Sequence, residues 1–426
     1  MTQWLARVAY STLLRALTPA YLLRLCWRGR REPLYRHALA ERLGFGYPAA
    51  VPGALWLHAV SLGETRAAAA LVDALRAQRP ALRLLLTHGT ATGREAGTAL
   101  LRKGDLQCWL PWDTPGAVRR FLRHHRPAAG VLMETEIWPN LLHEAAAEGV
   151  PMVLANARLS AKSHAKGERI GALVRPVAGT LAAVLAQSEA DATRLRSFGA
   201  AHVQVCGNLK FDVNPDPLLL ASGRQWRRLL DRPVVLAAVT REGEELPLLQ
   251  CWSTLQAPRP LLLLVPRHPQ RFDAVADLAS QFDFKLQRRS GWTALPPADA
   301  LAADVWLGDS MGEMPLYYAA SDVALLGGSF GRFGGQNLIE AAACGCPLVM
   351  GPYTYNFSEA AELSLAAGAA LRVADVEQGV ARAVALTRDA SRDEWVQRTL
   401  GFAAAHRGSA ERMARAVLAA AGPRLA

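Results

Sequence analysis

Past residue 50 the chain alternates short apolar runs with stretches whose apolar positions recur at helical spacing. The runs Leu55–Val60, Leu82–Thr87, Val131–Met133, Met152–Ala155, Leu181–Ala186 and Val203–Cys206 read as strands, with helical stretches between most of them. A polar, proline-bearing stretch from Asn208 to Pro217 breaks the alternation. It restarts with Val234–Ala238, Leu261–Val265, Val305–Leu307, Val323–Leu326, Leu348–Met350 and Leu371–Val373. Strands alternating with helices imply parallel sheets. The pattern predicts two doubly wound α/β halves that meet near residues 212–218, which is the GT-B plan of two Rossmann-like domains facing across a cleft.

Open α/β sheets bind ligands beyond the carboxyl ends of their strands. In the first half those positions hold Ser61-Leu62-Gly63-Glu64, Glu134-Thr135-Glu136 and Asn156-Ala157-Arg158. In the second they hold Arg267-His268, Asp309 to Glu313 and Gly327 to Asn337. If the halves face each other, both sets line one crevice.

The strongest single feature is Gly327-Gly328-Ser329-Phe330 followed by Gly334-Gly335-Gln336-Asn337-Leu338-Ile339-Glu340. Glycines after a strand let backbone approach a phosphate, and a helix starting near Gly335 offers free N–H groups and a positive dipole end. Glu340, one turn in, is placed to take ribose hydroxyls. The plain alternative is a glycine turn made for tight packing. Arg267 at a strand end suits a phosphate and suits a surface loop equally. Glu64 opens a helix after a strand: it reads as a general base, ionised at neutral pH from an ordinary pKa of ~4.3, or as an acid favoured by the helix dipole. Glu134 and Glu136 read as a second polar site or as acids before Trp138-Pro139. Lys210, at the boundary, reads as a cation for an acidic substrate or as a hinge surface residue.

Composition narrows the class. Of the 426 residues 51% are hydrophobic and 20% charged, enough for two or three cored domains. The net charge of +11 favours an anionic partner. More than half of that excess lies in residues 1–44, where eight arginines face Glu32 and Glu41. Apolar residues run from Trp4 to Trp27, but Arg7, Arg15 and Arg24 interrupt them. A spanning helix wants roughly 20 mostly apolar residues. Arg24, Arg28 and Arg31 fall at i, i+4, i+7 on one helical face, so the segment reads as an interfacial anchor on anionic lipid. The alternative is an ordinary amphipathic helix packed on the body.

The six cysteines are scattered, which fits a reducing compartment without disulfides or zinc. Gly-x-Gly-x-x-Gly, Gly-Lys and Asp-x-Asp patterns are all absent, which counts against a dinucleotide oxidoreductase, a P-loop and a metal site. The basic N-terminus lacks the aromatic and glycine pattern of an RNA-binding module. Gly308-Asp309-Ser310-Met311-Gly312 matches the nucleophile elbow of α/β-hydrolases. That reading needs a downstream acid and His, and the one His after Ser310 is His406.

Taken together these segments resemble the Kdo (3-deoxy-D-manno-octulosonic acid) transferases of Gram-negative bacteria over nearly the full chain. The resemblance rests on Arg28-Gly29-Arg30, Ser61-Leu62-Gly63-Glu64-Thr65, Met133-Glu134-Thr135-Glu136-Ile137-Trp138-Pro139-Asn140 and Ala155-Asn156-Ala157-Arg158-Leu159-Ser160. It continues through Leu209-Lys210-Phe211-Asp212, Val265-Pro266-Arg267-His268-Pro269, Gly308 to Glu313, the 327–340 turn and Asn356-Phe357. It implies an inverting, metal-free transfer from the donor CMP-Kdo to the lipid A precursor lipid IVA, without a cofactor, at the cytoplasmic face of the inner membrane. It implies Glu64 as general base, with Glu134 and Lys210 supporting the transition state. The CMP site it implies is Pro266, Arg267, Met311, Gly312, Glu313, Asn337, Leu338, Ile339 and Glu340. The family usually has His where this chain has Gln336.

The expected organisation is a membrane-associated helical segment at 1–45, an acceptor-binding domain at 46–212 and a CMP-sugar-binding domain at 213–426, with the last helix free to pack back on the first domain. The expected partners are CMP-Kdo, lipid IVA and an anionic membrane surface, with no nucleic acid. Two rival functions stand beside this one: a GT-B-like epimerase of a UDP-sugar, and a non-catalytic nucleotide- and lipid-binding protein of the membrane surface.

Overall fold

Leu, Val and Ala fill the strands so completely that both faces of each sheet must be covered, the condition of a parallel sheet. The computed structural model describes residues 3–425; Met1, Thr2 and Ala426, the outer ends of the ranges 1–45 and 213–426, lie outside the described residues. The first sheet contains β1 (Leu55–His58), β2 (Leu84–His88), β3 (Leu106–Trp109), β4 (Ala129–Met133), β5 (Met152–Ala157), β6 (Ala183–Ala186) and β7 (Val203–Val205). Its order is β3-β2-β1-β4-β5-β6-β7, parallel throughout. The second contains β8 (Val234–Thr240), β9 (Leu261–Pro266), β10 (Leu286–Arg288), β11 (Val305–Leu307), β12 (Val323–Leu326), β13 (Leu348–Met350) and β14 (Ala370–Arg372). Its order is β10-β11-β9-β8-β12-β13-β14, again parallel.

Two strands escape the hydrophobic pattern, β3 and β10, and both are edge strands. Leu106 and Gln107 of β3 and all of Leu286-Gln287-Arg288 are half-exposed, so neither carries the apolar run that marks a central strand.

The chain divides into two compact units. One runs to Asp212 and resumes at Arg407; the other is Val213–His406. The N-terminal helical segment belongs to the first unit, as does the last helix, Ser409–Ala421. That helix presents Ala410, Met413, Ala414, Val417 and Ala421 at helical spacing to the sheet face already carrying helix Leu62–Gln78, where they join Leu71, Val131, Val153 and Leu185 in one core. Helices Pro115–His125, Pro139–Ala147 and Glu189–Ser197 supply the core of the opposite face.

The N-terminal helix, Gln3–Arg28, lies on the first unit by a polar seam. Tyr10 Oη donates to Asp113 Oδ2 at 2.9 Å and Ser11 Oγ to Asn140 Oδ1 at 3.0 Å. Trp112 Nε1 donates to Leu14 O at 3.1 Å, and the Tyr21 and Trp112 rings stack at 4.0 Å. The helix therefore turns polar groups inward and apolar ones outward: Trp4, Leu13, Leu23 and Trp27 are 63%, 56%, 71% and 65% exposed. The expected face of Arg24, Arg28 and Arg31 does not form, because the helix ends at Arg28. Arg28 instead pairs with Glu32 at 3.5 Å and lies 4.3 Å over the Tyr35 ring. Among the described residues, no helix is long and apolar enough to cross a membrane.

Asp212 holds the returning helix. Its carboxylate accepts Gly408 N at 2.6 Å and Ala410 N, the two amides that open Ser409–Ala421. Asp212→Ala is expected to cost about 0.5–2 kcal/mol, the range for a lost helix cap. A urea midpoint of the first unit's unfolding that does not move would contradict this role.

Candidate active site

The strand order of the first sheet reverses between β1 and β4, the point at which open α/β sheets leave room for a ligand. Glu64 follows β1 and Glu134 follows β4. Ser61 caps helix Leu62–Gln78, and Glu64 stands three residues on, the sequence spacing of a capping box, with its carboxylate reaching Val60 N rather than the N–H of Ser61. Val60 N donates to Glu64 Oε2 at 2.7 Å and Ser61 Oγ to Oε1 at 3.0 Å. The helix-capping and base readings of Glu64 thus describe one carboxylate, half-buried and fixed in place. Burial raises its pKa above the ordinary value; the hydrogen bonds from Val60 and Ser61 oppose this, Glu134 adds to it and Arg158 subtracts.

Glu134 has a φ of 58°, a left-handed conformation uncommon for a glutamate. Its own N–H still pairs with Ala155 O at 2.9 Å, and its buried carboxylate accepts Arg158 Nε at 2.8 Å. Glu136, two residues on, is half-buried and accepts Trp138 Nε1 at 2.7 Å. Burial, then the charge of Glu64, raises its pKa to about 7 against the pull of the Trp138 bond. The two carboxyls are like charges close enough to interact, so a negative charge on Glu64 opposes ionisation of Glu136.

Lys210 sits on the turn Leu209–Phe211 and is exposed. The turn is tied to the end of β5. Asn156, at a φ of 51°, accepts Leu209 N on Oδ1 at 3.0 Å, and its carbonyl accepts Gln187 Nε2 at 2.9 Å. Gln187 Oε1 in turn accepts Asn208 Nδ2 at 3.0 Å. The structure brings Glu64, Glu134, Glu136 and Arg158 into one electrostatic cluster. Lys210 makes no recorded hydrogen bond or ion pair with any of them.

The second sheet reverses between β8 and β12, and the glycine turn leaves β12 there. A Cβ on Gly327 would stand 2.4 Å from Val239 O, so only glycine fits. Val239 itself has a φ of 60°, an outlier for a β-branched residue. The first half of the turn is not an open phosphate cradle. The N–H groups of Gly328, Phe330 and Gly331 converge on the buried carboxylate of Glu244 at 2.7, 3.1 and 3.0 Å. The expected helix start near Gly335 also shifts: Gly334 and Gly335 stay left-handed, Asn337 is the cap, and the helix is the six residues Leu338–Ala343. The second half of the turn is not filled by Glu244. Asn356 clamps it, its N–H on Gly334 O at 3.0 Å and its Nδ2 on Phe333 O at 2.9 Å.

Around that half stand the other expected nucleotide residues. Arg267, just past Pro266 at the end of β9, donates from Nη1 to Gln336 Oε1 at 2.6 Å. Gln336 therefore holds an arginine beside the turn although it cannot itself be cationic. Glu340 is half-buried, burial raises its pKa, and its carboxylate has no recorded protein donor among the described residues. Leu338 and Ile339 are buried, and Asn337 Oδ1 accepts Ile339 N at 3.1 Å. Met311 is 68% exposed and Gly312 has a φ of 80°. Glu313 accepts Arg289 Nη2 at 2.8 Å and the Ser310 hydroxyl. The recorded partners of Ser310 Oγ are Glu313 and Tyr317, with no histidine, so the hydrolase elbow has no base. Among the described residues no cluster of His, Cys, Asp or Glu is arranged to hold a metal ion.

The expected catalytic residues thus lie in the first unit and the expected nucleotide residues in the second. Sequence reasoning placed Glu136, Asn156 and Arg158 at strand ends, with Glu136 in a second polar site, but gave no role to Glu244. The strand-end rule that found Glu64 also reaches Thr240 to Glu245, where Glu244 lies.

Two parallel seven-stranded α/β units define the class by fold, GT-B-like. UDP-GlcNAc 2-epimerase from Neisseria meningitidis, solved with UDP-GlcNAc, shares the fold at 16% identity and a TM-score of 0.53, over 86% of this chain and 99% of its own. A family model described as 3-Deoxy-D-manno-octulosonic-acid transferase (kdotransferase) matches residues 37–213. The 3-deoxy-D-manno-octulosonic acid transferase of Bordetella pertussis is 45% identical over 96% of this chain and 98% of its own. That of Haemophilus influenzae is 36% identical over 89% and 90%. The chain belongs to the Kdo transferase family, the glycosyltransferases of lipopolysaccharide synthesis.

The pairing of carboxylates has a measurable consequence. Glu136 should titrate near pH 7 in the intact protein. Glu64→Gln removes the like charge and should lower that midpoint, read by carbon-13 NMR of labelled glutamate. A midpoint that stays put would show that the two groups do not interact.

Proposed function

We propose that the protein transfers Kdo from CMP-Kdo to lipid IVA with inversion at the anomeric carbon, without a metal or cofactor. The observation that carries the proposal is the Glu64 carboxylate, fixed by Val60 N and Ser61 and raised in basicity by burial, beside the Glu134–Arg158 pair at the reversal of the first sheet. In the reaction, the lipid hydroxyl oxygen bonds to the anomeric carbon as its proton passes to Glu64. The bond from that carbon to the phosphate oxygen breaks, and CMP leaves with the electron pair. A base whose pKa lies closer to neutrality takes the proton more effectively while remaining ionised.

The developing positive charge on the sugar is stabilised by Glu134, and the carboxylate of Kdo is met by Lys210. The charge gathering on the departing phosphate is stabilised by Arg267, held by Gln336, and by the backbone N–H groups of Asn337, Leu338 and Glu340. Glu340, which has no protein donor among the described residues, accepts the ribose hydroxyls. Pro266, Met311, Gly312 and Glu313 complete the cytidine and phosphate surroundings. The likeness to the UDP-GlcNAc epimerase is one of fold, so it does not favour epimerisation.

The acceptor is an anionic lipid, and the N-terminal helix suits it. Its outward residues Trp4, Leu5, Leu13, Leu17, Leu23 and Trp27 are exposed, with Arg15 and Arg24 among them. A row of exposed large apolar side chains of this kind marks an interaction surface. The helix lies on the cytoplasmic face of the inner membrane, its apolar side chains in the lipid and its arginines on the headgroups.

Incubation with CMP-Kdo and lipid IVA, followed by mass spectrometry of the lipid, should show added Kdo. Preferential use of a UDP-sugar, or no product with any donor, would reject the reading. On the membrane side, Leu13→Glu/Leu23→Glu should cut pelleting with anionic vesicles at least tenfold. Unchanged pelleting would show that the helix does not make the contact.

A further inference from the structure

The amino end of the second sheet holds a cavity of about 330 Å³ that the proposed transfer does not use. It lies where β12 and β13 begin. Asp322 precedes β12 and Pro347 precedes β13, whereas the glycine turn leaves β12 at its far end. The four residues of β12 separate the two places by about 13 Å of strand.

The cavity wall is rich in arginine. Arg224, Arg227 and Arg228 come from helix Pro217–Leu229, and Arg392 opens helix Arg392–His406. One lining acid faces them. Asp322 is buried and accepts Arg227 Nε on its two oxygens at 3.0 and 3.1 Å, with Arg392 also paired to it. It accepts Val234 N at 2.8 Å as well. Its charge is thereby committed. Arg224 and Arg228, one turn apart on the same helix, have no recorded hydrogen bond or ion pair among the described residues.

Basic residues at the end of a helix gain from its dipole, which accounts for Arg227 and Arg228. It does not account for Arg392, which comes from another helix, or for the open space between the two helices. Guanidinium groups gathered at one place repel each other unless an anion joins them. Arginine is also the side chain whose paired N–H groups match a phosphate. The volume falls at the small end of the range for ligand pockets. We propose that this cavity binds a phosphoryl-bearing anion through Arg224 and Arg228, at a site separate from the nucleotide turn. Inorganic pyrophosphate represents the soluble form of such an anion, and a phospholipid headgroup the membrane form.

Calorimetric titration of the full chain with pyrophosphate, in the presence and absence of saturating CMP, tests this. Binding should persist with CMP present and weaken at least tenfold in Arg224→Gln/Arg228→Gln. Both side chains are exposed, so the fold should survive, and Arg382→Gln/Arg415→Gln controls for net charge. Phosphatidylglycerol vesicles form the second arm. Arginine-dependent pelleting without pyrophosphate binding would assign the site to a headgroup. If the double variant and the control behave alike toward both pyrophosphate and vesicles, the proposal is wrong.

Discussion

A sheet that is parallel throughout must be covered on both faces, and most of this structure follows from that requirement. In the first unit it explains why the chain returns after the second. Helix Leu62–Gln78 alone leaves part of one face open, and Ser409–Ala421 closes it with Met413, Ala414 and Val417 over Val131 and Val153. Asp212, where the first unit breaks off, holds the two amides at which it resumes. With both faces spent on packing, polar chemistry is pushed to the strand ends. The candidate site residues of each unit lie there.

At those ends the backbone departs from regular geometry. Glu134, Asn156 and Val239 all take left-handed conformations just as their strands finish or shortly after. Such strain is held by surrounding contacts: Glu134 by Ala155 and Arg158, Asn156 by Leu209 and Gln187. The same logic explains Glu244. The glycine turn presents N–H groups suited to an anion, and the protein fills the first of them with its own carboxylate. The second half holds Arg267 bonded to Gln336, and Glu340, whose carboxylate has no hydrogen-bond donor among the described residues.

Central strands were legible in the sequence because their apolar runs are uninterrupted. The edge strands β3 and β10 were not, because two residues of β3 and all three of β10 are only half-buried and their sequences carry no apolar run. Glu64 and Glu134 were legible from their place after a strand. Their coupling to Glu136 and Arg158 was not, since it depends on which strand ends lie side by side. The N-terminal helix was misread in one respect: Arg31 was counted on a face that ends at Arg28. The docking seam through Tyr10, Ser11 and Trp112 was hidden as well, because it is set by distant residues such as Asp113 and Asn140.

The central claim is that Glu64 removes the acceptor's proton while the second unit holds the nucleotide. Single-turnover measurement with bound CMP-Kdo separates the two. Glu64→Gln should bind donor as the wild type does and transfer roughly 10²–10⁴ times more slowly, the usual span for a lost general base. Transfer at the wild-type rate by that variant, with donor binding intact, would contradict the account.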